Sequence, residues 1–194
     1  MDRKLAAILA ADVVGYSAMM ERDETGTHEC LQTSLREMFE PIISKYHGVI
    51  FKLMGDGLLA EFISVGQAVE CAVTLQQTLA ERNGDLPQER ALRVRMGVNL
   101  GEVIVEGPDR FGEGVNIAAR LEQLAEPGGI WVSAKVAKEV EKTLALRFEA
   151  MGAQKVKNIS ERVDCYRVRM DGQPSRRSSR KLRMLLWWFW QACL

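Results

Sequence analysis

Two aspartates stand where carboxylates could hold a metal-bound phosphate. Asp12 follows the apolar run of residues 5–10, and Asp56 occupies the glycine-flanked tip of "FKLMGDGLLAEF", residues 51–62. Alone, each has an ordinary explanation, because Asp starts turns and Asp-Gly suits a hairpin tip. Together they gain interest. A central strand beside a hairpin would bring both carboxylates to one sheet edge, and such oxygen ligands suit Mg²⁺ or Mn²⁺ completed by substrate phosphates. A third piece lies in "DRFGEGVNIAARLE", residues 109–122, where Asn116 and Arg120 are one helical turn apart and share a face. A solvated pair would be unremarkable there. However, asparagine is a poor mid-helix choice, and the small alanines leave that surface open to close approach. An arginine beside an amide suits the charge that develops on a transferring phosphoryl group. Lys52, four residues before Asp56, reads on spacing alone as either a surface charge or a ligand contact.

The elements that must position these groups follow from periodicity. Residues 5–10 are apolar on both faces, as a central strand requires. A helix over about residues 25–46 carries Leu31, Leu35, Met38, Phe39, Ile42, Ile43 and Tyr46 at spacings of three and four. Pro41 should kink or divide it, and Gly48 ends it. Residues 49–53 and 58–62 form the hairpin. A second helix carries Val65, Ala68, Val69, Ala72, Leu75 and Leu79 and stops at Asn83-Gly84. Strands follow at 92–99 and 102–105, then a helix at 113–124 and a strand at 130–132. Ser133 is placed to cap a helix running to about residue 143. Two short strands near 147–151 and 163–168 close the domain. This order predicts an α+β sandwich, a largely antiparallel sheet with helices on one face.

Composition narrows the function. The formal charge is zero, but residues 1–171 hold 21 basic and 26 acidic side chains, so duplex nucleic acid is not an expected partner. Cys30, Cys71, Cys165 and Cys193 form no C-x-x-C pair, and His28 and His47 lack ligand-spaced neighbours, which argues against zinc. Cys71 reads as a buried reduced thiol in a helix. Asp12 interrupts the N-terminal apolar run before a signal-peptide core is complete, so the main domain reads as cytoplasmic. A Ser/Arg-rich linker over 170–183 leads into "MLLWWFWQACL", residues 184–194. As a helix that tail spans about 16 Å against a hydrocarbon core of about 30 Å. It stands open as a truncated transmembrane segment, an interfacial anchor or a packing tail, and is the candidate membrane contact.

Asp12 in "ADVVGYS", Lys52 and Asp56 in "KLMGDG", "RMGVNLGEV", Asp109 in "DRFGEGVN", and Asn116 with Arg120 in "NIAAR" together resemble the class III nucleotidyl cyclase catalytic domain. The likeness is strongest to bacterial adenylate cyclases and runs from about residue 3 to 168. It implies a ferredoxin-like βαββαβ core in a catalytic domain over 1–169, working as a homodimer with active sites at the interface. It further implies two divalent cations, Mg²⁺ or Mn²⁺, on Asp12 and Asp56, and ATP as the substrate cyclised to 3′,5′-cyclic AMP and pyrophosphate. By the same resemblance Lys52 and Asp109 read the adenine edge, Asn116 orients the ribose, Arg120 stabilises the α-phosphate, and Lys157 touches the terminal phosphates. Guanine presents the reverse hydrogen-bonding polarity, so Lys with Asp favours ATP. Ala10 stands where the family often has an aromatic residue, and Glu113 where it often has Asp or Asn. Two other readings are a non-catalytic nucleotide-binding or dimerisation module of this fold and a guanylate cyclase. A diguanylate cyclase is disfavoured, because no Gly-Gly-Asp/Glu-Glu-Phe signature occurs.

Overall fold

The computed structural model describes residues 2–84, 86, 91–155 and 162–170. Lys157, the tail over 184–194 and all but the first residue of the linker lie outside them. The elements run β1 (Asp2–Val13), α1 (Tyr16–Arg22), α2 (Glu24–Ser34), α3 (Glu40–Lys45), β2 (Val49–Met54), β3 (Gly57–Phe62) and α4 (Val65–Asn83). Then come β4 (Val94–Glu106), β5 (Asp109–Phe111), α5 (Glu113–Leu124), β6 (Ile130–Ser133), α6 (Ala134–Val140), β7 (Arg147–Lys155) and β8 (Arg162–Arg169).

The sheet order is β2-β3-β1-β4-β6-β8-β7, with β5 paired to β4. β1 lies antiparallel between β3 and β4, and β2 lies antiparallel to β3. Those four strands and their connecting helices make the expected βαββαβ core. A parallel β4–β6 pair extends the sheet, and the remaining pairings are antiparallel.

The apolar run of β1 is buried on both faces, as a central strand needs. Ala7, Leu9, Ala11 and Val13 pack into the main core with α2–α4 and α6, and Ala68, Val69, Ala72, Leu75 and Leu79 of α4 supply much of it. Ala6, Ile8 and Ala10 face the other way, against Val115 and Ala118 of α5. Helices on one face, the sequence expectation, are therefore corrected: α5 covers the opposite face alone. The buried Ala118 shows why alanines recur in α5, since they let the helix press on the sheet.

Two other features have local causes. Strands expected at 92–99 and 102–105 are one strand, β4, because Gly101 pairs in register with Ala6 rather than turning the chain. The long helix is divided, as Pro41 predicts. A π-helical stretch, Leu35–Phe39, precedes α3, and Pro41 sits in the first turn of α3. Proline lacks the N–H an α-helix would require there, and its ring crowds the carbonyl one turn back, so the widened turn absorbs the mismatch. Ser133 precedes α6 in extended conformation, as a cap does, but its side chain makes no capping hydrogen bond.

β4 explains how α5 lies so close. A Cβ on Gly97 would come within 2.3 Å of both the Ala118 carbonyl oxygen and the Glu122 amide nitrogen, and one on Gly101 within 2.9 Å of the Gly114 Cα. Between them, Asn99 donates from its amide to the Gly114 carbonyl at 3.0 Å. Gly97→Ala should therefore lower the unfolding free energy by about 1–3 kcal/mol. Gly66→Ala, in α4 where only the Ser64 hydroxyl lies near, at 3.6 Å, should raise it by about 0.5 kcal/mol. Urea-unfolding midpoints of the two variants check both signs.

Candidate active site

The hairpin β2–β3 closes through Gly55 and Asp56. Gly55 takes φ 63, the conformation that a two-residue turn with glycine first requires. The Val13 amide donates to the Asp56 carbonyl at 3.2 Å, tying the turn to the end of β1. Asp56 thereby comes beside Asp12, which pairs in register with Gly57. A Cβ on Gly57 would crowd the Ala11 carbonyl at 3.1 Å and come into ordinary contact with the Asp12 carboxylate at 3.5 Å. Partial burial, together with the Asp12 charge, holds the Asp56 carboxyl above its ordinary range, against its own backbone hydrogen bond and Arg95. Two close, half-buried carboxylates of hard oxygens suit a divalent cation, which would relieve their repulsion. Among the described residues no three His, Cys, Asp or Glu side chains converge as a metal cage.

A cationic side chain already meets Asp12. Arg95, its register partner on β4, donates to the Asp12 carboxylate at 2.6 Å. Its Nε lies 3.2 Å from Glu122 Oε1 on α5. Neither of those two buried atoms completes a hydrogen bond. Glu122 is only 6% exposed. Its burial first, and then the Asp12 charge, push its carboxyl up to about 7, Arg95 opposing and Asp56 adding to the rise. Sequence reasoning missed both residues. Arg95 lay inside a quoted motif as one polar position of an alternating strand, and a glutamate in a helix carries no signal of its own.

Asn116 and Arg120 stand on α5 as the helical spacing predicts. With Asp12, Met54, Ala119 and Glu122 they line a groove of about 400 Å³. Arg120 is held by the Gln123 side chain at 2.6 Å. Glu113 opens α5, in the first turn where a carboxylate favours the helix dipole. Lys52 lies on β2 with its ammonium 5.6 Å from the centroid of the Phe111 ring. Asp109 is two residues before Phe111 on β5, so the two share a strand face. A partly exposed ion-pair clamp ties β5 to the sheet: Glu61 of β3 binds Lys4 of β1 and Arg110 of β5, the latter at 2.5 Å. The structure thus gathers Asp12 with Asp56, Asn116 and Arg120 with Asp12, and Lys52 with the strand of Asp109. Cys71 is fully buried, and burial raises its thiol to about 12, the inert reading expected of it. Among the described residues no helix is long and apolar enough to cross a membrane.

The fold is a ferredoxin-like sheet with paired carboxylates at one edge and an amide and a guanidinium one turn apart beside them. The family model of the Adenylate and Guanylate cyclase catalytic domain matches residues 3–170, and the chain belongs to that family. It is 50% identical over 161 residues to a protein of Rhizobium meliloti (strain 1021) named "Putative adenylate cyclase 3", an alignment covering 83% of this chain and 27% of that protein. The chain thus spans about a quarter of that relative. The crystal structure of an adenylate/guanylate cyclase/hydrolase from Silicibacter pomeroyi superposes with a TM-score of 0.83 at 40% identity, over 88% of this chain and 99% of that one. The adenylyl cyclase CyaB of P. aeruginosa shares the fold with a TM-score of 0.74 at 23% identity, over 90% and 97% of the two chains.

Glu122 makes a pH prediction. Its ordinary value is 4.5 and its folded value about 7. Between them the folded protein keeps a proton that the unfolded chain has released. The stability from that proton is complete below 4.5 and is lost as pH rises through 7. Glu122→Gln removes this loss. Its stability relative to wild type should therefore climb across that window by up to about 3 kcal/mol, read from urea unfolding at several pH values.

Proposed function

We propose that this domain is an adenylate cyclase, converting ATP to 3′,5′-cyclic AMP and pyrophosphate. The observation that carries the reading is the pairing of Asp12 and Asp56 at one sheet edge, with Asp12 also lining the groove of Asn116 and Arg120. In the reaction the ribose 3′-oxygen bonds to the α-phosphorus, the bond to the bridging α–β oxygen breaks, pyrophosphate leaves with that electron pair, and the hydroxyl proton passes to water. Asp12 and Asp56 would hold two divalent cations, Mg²⁺ or Mn²⁺, which supply charge neutralisation at the attacking and leaving oxygens. Asn116 orients the ribose by hydrogen bonding, and Arg120 faces the charge that builds on the α-phosphate, at a small cost in reorganisation because the helix fixes it. Lys52 donates to adenine N1 and Asp109 accepts from the 6-amino group, the polarity that rejects guanine. Lys157 is assigned to the terminal phosphates on the resemblance alone.

The active unit in this reading is a homodimer. Leu53, Met54, Phe111 and Leu124 are exposed large apolar side chains on the elements that carry the site, at 54%, 45%, 41% and 39%. Exposed side chains of this size favour burial against a second copy. Asp12 and Arg120 line one groove of a single chain, so the contributions of the two copies need a direct test. Asp56→Ala mixed with Arg120→Ala should recover about a quarter of wild-type activity, since half the dimers would be mixed and each would hold one intact site. No recovery in verified heterodimers would place the site within one chain. For the base, ATP should be cyclised at least tenfold faster than GTP, and Lys52→Glu with Asp109→Cys should erase or invert that ratio. Equal rates for the two nucleotides in wild type would favour the guanylate reading. Nucleotide binding without turnover would favour a binding module.

A further inference from the structure

Arg95 is shared between two carboxylates on different elements. It reaches Asp12 at 2.6 Å and Glu122 at 3.2 Å. The second contact exists because Gly97, two residues along the same face of β4, admits α5 so closely that Glu122 is set down on the strand. Glu122 is 6% exposed, in the groove lined by Asp12, Asn116 and Arg120. A buried glutamate whose Oε1 completes no hydrogen bond, beside an arginine whose Nε completes none, is costly to keep as packing alone.

A cation arriving at Asp12 competes with Arg95, because both want the same carboxylate and repel each other at hydrogen-bond range. Where Arg95 goes then decides how readily Asp12 is released. With Glu122 present, the guanidinium has a second, fixed anion on α5. Without it, Asp12 is the one carboxylate that Arg95 is seen to bind. We propose that Glu122 is a positioning residue, which draws Arg95 away from Asp12 and so frees that carboxylate for a divalent cation. This rests on Asp12 and Asp56 being the metal ligands. Nothing in it requires Glu122 to touch metal or substrate.

Manganese binding to the nucleotide-free protein tests the idea, measured by titration calorimetry and Mn²⁺ electron paramagnetic resonance at about pH 8, where free carboxylates are ionised. Glu122→Gln should weaken Mn²⁺ binding about tenfold, the order expected when one charge-assisted hydrogen bond must be broken. Adding Arg95→Met should restore binding to the wild-type level or better, since the competitor is gone. Glu122→Asp should fall between Glu122→Gln and wild type. A merely structural glutamate would make the double variant bind no better than Glu122→Gln, and that result overturns the proposal. So does unchanged binding by Glu122→Gln or by the Asp variant's loss exceeding it, with near-ultraviolet circular dichroism confirming the fold of each protein. If wild type binds no Mn²⁺ that Asp56→Asn abolishes, the metal reading itself fails, and this inference with it.

Discussion

Two like charges held side by side at a sheet edge are the constraint on which the rest of this structure depends. Partial burial, and then the Asp12 charge beside it, disfavour the ionised Asp56 carboxylate. The fold keeps the two aspartates together by backbone means: an antiparallel register that sets Asp12 against Gly57, and the Val13 amide bond to the Asp56 carbonyl. Arg95 supplies the compensating charge from the neighbouring strand. A site built this way has a cation-shaped demand before any cation arrives.

The same constraint accounts for α5. A helix placed against the bare side of the sheet must come near enough for Asn116, Arg120 and Glu122 to share the groove with Asp12. β4 allows it by presenting Arg95, Gly97, Asn99 and Gly101 in alternation on that face, with almost no bulk beyond the arginine and the asparagine. The opposite face of the same strand carries Met96 and Val98 into the main core. One strand thus serves packing on one side and chemistry on the other.

Much of this was legible in the residues. The burial of β1 on both faces, the α4 stripe, the division of the long helix at Pro41 and the bounds of α5 all followed from periodicity and breakers, which are local signals. The paired aspartates and the Asn–Arg helix turn were named from the residues themselves, and Lys52 and Asp109 from the family resemblance. The placement of α5 on the opposite face was not read, because an amphipathic pattern says which side of a helix is buried but not which side of the sheet it meets. Yet "RMGVNLGEV" held the cue, in glycines every fourth residue on one face of the strand. Arg95 and Glu122 escaped for a related reason: their pairing spans two elements, and neither residue is unusual where it stands. The Glu61 clamp on β5 was hidden in the same way.

The most direct test of the central claim is to follow the products of ATP and Mn²⁺ by phosphorus nuclear magnetic resonance. Asp12 and Asp56 as the seat of a cyclising site require cyclic AMP and pyrophosphate to appear in equal amounts with wild type, and neither to appear with Asp12→Asn or Asp56→Asn. ATP that is bound but unchanged, ATP that is cleaved to other products, or cyclic AMP formed equally well by either variant would contradict the account.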